Sequence, residues 1–279
     1  MGPDQMKEIT HTFDSAVHFA EEIKKYRKNS EWDSTRSFQG GITGDQAIEK
    51  VTSGDHDLRK RTEILIDSFL DSNTIALPER IWELSPSGYF PCVPAVLSGE
   101  PENMFRVSKK SSTLSPLKIF CGIAASASFE KSQIEEKGIA CAALAVALSS
   151  VRPVELFVHA EWGNGYDIQT IPVIRIETSP LDLTAAAFVL AHPAFLRTMT
   201  FRYCCHWVND PHCSMPWAYG GDPLEPERSK KIRNLIGATE NDLVIHGAYS
   251  GHGIFGYHGN DSTSWLREQI AKYGNGEIE

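Results

Sequence analysis

Between residues 117 and 190 the chain alternates short apolar runs with longer helical stretches, and this alternation constrains its fold more than any other feature. The run 117–123 is apolar with no helical period, which suits a strand buried on both faces. Residues 129–148 follow as an Ala-rich helix able to pack closely on a sheet. A second strand, 154–160 (V-E-L-F-V-H-A), begins after Pro153, and a third spans 171–176. The next helix, 183–190, ends at His192-Pro193, because a residue before proline is pushed out of the helical region. Residues 198–207 read as a fourth strand. Strands separated by helices of this length need crossover connections and a mainly parallel sheet. The expected fold class is therefore α/β, three-layer, with a mainly parallel sheet over a core spanning residues 76–208.

Two further zones flank that core. Residues 6–75 read as a helical extension, with Phe13, Val17, Ala20 and Ile23 at helical spacing behind Thr12 or Asp14 as the cap. After a Gly40-Gly41 break, Thr43 caps a short helix that Gly54 stops. A third helix carries Leu58, Ile64, Leu65, Phe69 and Leu70 and ends at 71–73. Residues 209–279 read as an irregular cap: a Pro/Gly-rich loop, a charged helix near 225–235, a strand at 242–246, a Gly-rich segment and a helix over 262–273.

A formal net charge of −9 disfavours a dominant electrostatic grip on nucleic acid or an anionic membrane, while leaving room for a local basic stripe. No apolar run approaches the ~20 residues that cross a bilayer, so no membrane partner is expected. Residues 1–26 are amphipathic and charged throughout, unlike a secretory signal. The six cysteines, Cys92, Cys121, Cys141, Cys204, Cys205 and Cys213, are then expected to be reduced thiols of a cytoplasmic protein.

The most specific segment is Ile123-Ala124-Ala125-Ser126-Ala127-Ser128, at the junction of the first core strand and its helix. Here the chain resembles a von Willebrand A domain, a family that places D-x-S-x-S at this junction. The resemblance implies that an Asp and two Ser hydroxyls hold a Mg²⁺ completed by a partner's carboxylate; hard oxygen ligands suit that cation. Ser126 and Ser128 occupy the two serine positions, but Ala124 stands where the Asp belongs. Losing the one formal charge of the trio should remove most of the cation affinity. The family also supplies a Thr and a second Asp from later loops, and Thr184 and Asp210 lie at compatible distances along the chain. The alternative is that A-S-A-S is a tight strand-to-helix turn with Ser128 or a neighbour capping the helix.

A wider resemblance, covering most of residues 6–205, is to a family of proteins from tailed bacteriophages that carries no assigned activity. It rests on Ser37-Phe38-Gln39-Gly40-Gly41 with the helix through Ala47, and on Val93-Pro94-Ala95-Val96-Leu97-Ser98-Gly99-Glu100-Pro101 with Met104. It continues through Lys137-Gly138-Ile139-Ala140 to Val154-Glu155-Leu156, and through Pro180-Leu181-Asp182-Leu183 to Ala191-His192-Pro193 and Arg197. This resemblance implies a phage-encoded protein working in the cytoplasm of an infected bacterial host.

Other constellations carry competing readings. Residues 204–213 gather Cys204, Cys205, His206, Asp210, His212 and Cys213, all of them zinc ligand types. A set of Cys205, His206, His212 and Cys213 is the candidate metal site, with zinc as its cofactor. Against it, adjacent cysteines in a strand point to opposite faces, and a core strand running into a polar loop gives the same composition. His246, His252 and His258 recur at even spacing among glycines, which favours a loop over a strand. His159 and Glu161 fall together by alternation, and a satisfied histidine at a sheet edge accounts for them. No G-x-S-x-G elbow is present, Cys141 is mid-helix, and no complete catalytic set emerges. Trp207, Trp217 and Tyr219 neighbour basic residues including Lys231, the combination that single-stranded nucleic acid uses for stacking and backbone tracking. The run Arg228–Arg233 also fits the solvated face of a helix.

The expected function is non-enzymatic binding of a host or phage protein, at the sheet end carrying Ser126, Ser128 and Thr184, since open α/β sheets bind at their strand carboxyl ends. Two alternatives remain: single-stranded nucleic-acid binding in phage transcription through Trp207, Trp217 and Lys231, and a metal-dependent enzyme built on the C-terminal Cys and His residues.

Overall fold

The computed structural model describes residues 9–26, 38–71, 80–88, 90–109, 115–164, 167–178, 180–207, 222–249, 251–256, 259 and 261–274. The main sheet runs β1 (Ile9–Phe13), β8 (Asp167–Ile176), β6 (Val154–His159), β5 (Leu117–Gly122), β9 (Leu243–Ile245), with β7 (Trp162–Asn164) also paired to β8. β5 lies parallel to both β6 and β9, β1 is parallel to β8, and the β6–β8 pair is antiparallel. The fold is α/β around a mostly parallel sheet, as the alternation of strands and helices requires.

Both faces of that sheet are covered. Alternation along β5 sends Ile119 and Cys121 to the larger core and Phe120 to the smaller one. On the smaller side, α8 (Pro226–Ile236) lays Ile232 and Ile236 against Phe120, Ile171 and Val173. On the larger side lie α1 (Ala16–Lys25), α5 (Lys131–Ser149), α6 (Leu183–Ala191) and α9 (Ser262–Gly274). α5 and α6 touch backbone to backbone, because a methyl added at Gly138 would sit 2.2 Å from Ala191 Cα. α6 starts on Asp182, whose carboxylate accepts from Thr184 N at 2.9 Å, and stops at His192 before Pro193.

The N-terminal helices obey their caps. α2 (Gly44–Ser53) begins with Thr43 and Gln46 bonding each other's backbone and ends at Gly54 with φ 72°. α3 (His56–Asp71) follows directly. α1 is capped by Ser15, not Thr12 or Asp14: His18 N donates to Ser15 Oγ at 3.0 Å. Ahead of it, the zone read as wholly helical opens with β1, which joins the main sheet as an outer strand. β1, α1, β9 and α9 therefore share one core with the middle of the chain.

One expectation is overturned outright. Residues 198–207 are no strand: a π-helical turn, Phe195–Thr200, runs into α7 (Phe201–Trp207). Thr198, Thr200 and the aromatics favour a strand locally, but every residue from 195 to 204 is buried. A segment enclosed on all sides is settled by packing rather than propensity, and Thr200 Oγ1 satisfies Leu196 O within the turn. Cys204 and Cys205 thus follow a helical, not an alternating, direction.

A second, three-stranded antiparallel sheet, β2 (Arg80–Ser85), β4 (Met104–Lys109) and β3 (Phe90–Pro91), was not legible in the sequence. α4 (Val93–Leu97) belongs to it and leaves Val93, Val96 and Leu97 exposed. Among the described residues, no helix is long and apolar enough to cross a membrane.

Candidate functional site

Because β5, β6 and β9 are parallel, their carboxyl ends meet at one edge, and the segments leaving them are stitched together. Ala248 N donates to Ala124 O at 2.7 Å, and Ser126 N donates to Ala248 O at 3.0 Å. Ala124 and Ala125 are buried, Ser126 is half-buried and Ser128 is exposed, with Ser128 Oγ bonded to Ser126 Oγ at 3.2 Å. The helix cap is Glu130 rather than Ser128. Both hydroxyls are therefore left at the surface of the turn.

Directly beneath lies a buried polar cluster. Glu161, two residues past β6, is 2% exposed, and His159 at the strand's last position is fully enclosed. A methyl added at Gly247 would sit 2.7 Å from Ala124 O and 3.0 Å from Glu161 Oε1. The Glu161 carboxylate is thus packed beside the position where the resemblance expects an aspartate. His159 Nδ1 approaches Glu161 Oε2 at 3.4 Å, an ion-pair distance without hydrogen-bond geometry. His159 Nε2 has no hydrogen-bond partner among the described residues.

Cations complete the cluster. Lys137 on α5 donates from Nζ to Gly122 O at 3.1 Å and to His246 O, bridging the ends of β5 and β9 from below. Arg228 on α8 is 2% exposed and feels the Glu161 charge. It does not lie on a solvated face: Arg228, Ile232 and Ile236 are spaced by fours and share the stripe facing the sheet. Burial pushes the Lys137 ammonium and the Arg228 guanidinium down, each opposed by Glu161 and other acidic groups nearby. Burial alone would raise the Glu161 carboxyl, but the facing His159, its own main-chain N–H and the neighbouring His246 outweigh it and hold it below the usual range. Burial pushes His246 down to about 4, so its ring is neutral at pH 7. The cluster therefore sets a carboxylate held below its usual range beside a buried lysine and a buried arginine.

Two contacts here were missed in the sequence. His246 Nε2 meets Ser229 Oγ at 2.9 Å, and His252 Nε2 meets Asp222 Oδ2 at 2.5 Å. Of the three evenly spaced histidines, His246 and His252 have different partners, and His258 lies outside the described residues. A serine beside a histidine suggests nucleophilic chemistry, but a ring with a pKa of about 4 is a weak base at pH 7.

The remaining predicted residues lie elsewhere or outside the described chain. Thr184 packs at the start of α6, where a methyl on Gly54 would sit 2.5 Å from its Cγ2 and where Thr184 O accepts from Asp55 N at 3.1 Å. Trp207 is 36% exposed, donates from Nε1 to Tyr26 Oη at 3.3 Å, and has its ring 4.2 Å from that of His11. His206 stacks on Tyr26 at 3.9 Å and 5°. Lys231 is half-buried on α8. Cys205 is disulfide-bonded, whereas Cys92, Cys121, Cys141 and Cys204 are thiols. This departs from the all-reduced expectation, and Cys205 can offer zinc a thiolate only after reduction. Asp210, His212, Cys213 and Trp217 lie outside the described residues. Among the described residues, no group of three or more His, Cys, Asp or Glu could hold a metal ion.

A family model described as Domain of unknown function (DUF7192) matches residues 3–270. Neither a curated protein nor a solved structure matches the chain.

Proposed function

The chain belongs to that domain family of unknown function, and from this premise we propose that it is a phage-encoded, non-enzymatic protein that binds a host or phage protein. Binding is at the carboxyl edge of its main sheet, in the cytoplasm of an infected bacterium. The observation that carries this reading is the Glu161 carboxylate packed beside Ala124 and Gly247, under the exposed Ser126–Ser128 turn. A degenerate von Willebrand A-like core is supported by the strands around β5, with β6 and then antiparallel β8 on one side and β9 on the other. In an ion-dependent recogniser of that kind, the divalent cation supplies positive charge at the turn. Here Lys137 and Arg228 supply it from within, so the partner is held without a metal.

The test is capture from host-cell lysate with tagged wild-type protein and a Ser126→Arg, Ser128→Arg double variant, each with and without EDTA. One protein retained by wild type, indifferent to EDTA and lost from the double variant is the expected result. Equal recovery on both baits, nothing above background, or retention that needs a divalent cation would each overturn the proposal.

A second reading, single-stranded nucleic-acid binding, draws on the exposed Trp207 beside the stacked His206–Tyr26 pair. It requires strongly salt-dependent binding that is lost on Trp207→Ala or Lys231→Glu.

A further inference from the structure

Two thiols meet where α5 packs on β5. Cys121 on β5 and Cys141 on α5 both belong to the larger core, where they are 1% and 2% exposed. They are hydrogen-bonded to each other and line one small cavity. Lys137 lines it as well, four residues before Cys141 and so one turn away on the same face of α5. Its Nζ donates at 3.1 Å to the carbonyl of Gly122, the residue after Cys121. The lysine thus fixes α5 against β5 at the level of the two sulfurs. Ala125 and Ala248, which bridge β5 and β9 under the Ser126–Ser128 turn, line the same cavity.

The two sulfurs are not equivalent. The bond from the Cys121 S–H, with the Lys137 charge in support, holds the Cys141 thiol below its usual range against the effect of burial. The same bond, together with burial, pushes the Cys121 thiol up. Cys141 is therefore the better nucleophile of the pair. The cavity has a volume of about 10 Å³, close to the roughly 10–15 Å³ that one water needs. Hydrogen peroxide is one oxygen atom larger than water and enters with a small displacement of the walls. A disulfide the size of oxidised glutathione does not fit.

We propose that Cys121 and Cys141 form a peroxide-sensitive pair, which hydrogen peroxide converts to an internal disulfide joining β5 to α5. In the first step the Cys141 sulfur attacks one peroxide oxygen. An S–O bond forms, the O–O bond breaks, and the departing oxygen leaves as water with the thiol's proton. In the second, the Cys121 sulfur attacks that of Cys141. The S–S bond forms, the S–O bond breaks, and the hydroxyl leaves as water with the Cys121 proton. Two thiols are oxidised and one peroxide is reduced to two waters. Disulfides in a reducing cytoplasm are characteristically transient and redox-sensing, and this one ties the frame beneath the partner-binding edge. The chemistry is independent of the partner, so its test needs none.

The test treats native full-length protein with a modest molar excess of hydrogen peroxide, blocks remaining thiols in denaturant, and digests with trypsin without reduction. Cleavage after Lys131 and Lys137 puts Cys121 and Cys141 on separate peptides. Mass spectrometry should find them joined, two hydrogens lighter than their sum. Oxidised glutathione at the same concentration should form the link at least about tenfold more slowly, because access limits thiol–disulfide exchange. In Cys121→Ser the link should vanish and dimedone should trap a sulfenic acid at Cys141. Recovery of both cysteines as blocked thiols, a link that forms only when peroxide is added in urea, or equal rates with oxidised glutathione would each overturn the proposal. The wild-type measurement decides even if the variant does not fold.

Discussion

Two buried cations sit at opposite ends of the main sheet, and their surroundings differ in kind. Arg152, at the amino end, donates to Ser115 O through Nε at 2.9 Å and through Nη2, and to Tyr273 O through Nη1 at 3.2 Å. Its partners are neutral carbonyls, and it ties α9 to the start of β5. Lys137, at the carboxyl end, also holds two carbonyls, but the Cys141 and Cys121 thiols, the Glu161 carboxylate and the His246 ring lie close to it. His159 Nε2 and His246 Nδ1 are buried there without hydrogen-bond partners among the described residues. A saturated cation is a brace, whereas an incompletely satisfied cluster under an exposed turn has reason to be kept for what it does.

Removing each cation is the sharpest test of that contrast. Lys137→Met should cost about 3–5 kcal/mol in denaturant unfolding, because it strands a buried carboxylate as well as two carbonyls. Arg152→Met should cost only about 1–2 kcal/mol. Equal losses would erase the distinction between the two ends.

Acid should strike the carboxyl end next. The His246 pKa falls from 6.5 to about 4 on folding. Between those values the unfolded chain binds more protons, so the contribution is full above pH 6.5 and is lost as pH falls toward 4. At 1.36 kcal/mol per pKa unit this amounts to about 3 kcal/mol. His192, buried beside Asp55, is likewise lowered to about 4 and adds a similar amount over the same window. His246→Gln should therefore remove about half of the stability lost between pH 7 and pH 4.5. An unchanged slope would show that the ring titrates normally.

Ala124→Asp probes the missing carboxylate. Set next to Glu161, the new charge should cost about 1–2 kcal/mol in EDTA by like-charge repulsion, and millimolar Mg²⁺ or Mn²⁺ should restore the loss. A melting temperature indifferent to both ions would argue against a cation-binding ancestry for the turn. The smallest effect belongs to Ser126→Ala with Ser128→Ala, within about 0.5 kcal/mol as for other surface changes, while partner capture should fall.

How far the sequence reached follows from what kind of information each feature needed. β5, β6, β8 and β9, and the helices between them, were legible because periodicity and caps are local: Thr43, Gly54, and His192 before Pro193 mark boundaries within a few residues. The segment 198–207 was misread because its threonines and aromatics are overruled by the enclosure of residues 195–204, which no local window reports. β1 was missed because Ile9–Phe13 gains its structure from a partner far along the chain. At the site, Ser126 and Ser128 were visible as a motif, and His159 and Glu161 were noticed but set aside as an ordinary sheet edge. Their weight comes from Lys137, Arg228 and Gly247, contributed by three separate elements. Arg228 had one available signal: it lies four and eight residues before Ile232 and Ile236, on the apolar side of its helix.

The order of strands also shapes how the molecule is made. β1 is made before the strands it joins yet must wait for β8, and β5 acquires β6 soon after synthesis but β9 only much later. Pairings of such long sequence separation close slowly, so a half-made chain exposes strand edges to its neighbours. Fusions or deletions that reach Ile9 or Leu243 would then remove a boundary strand of the sheet, and low yield from such variants would reflect assembly rather than any change in recognition.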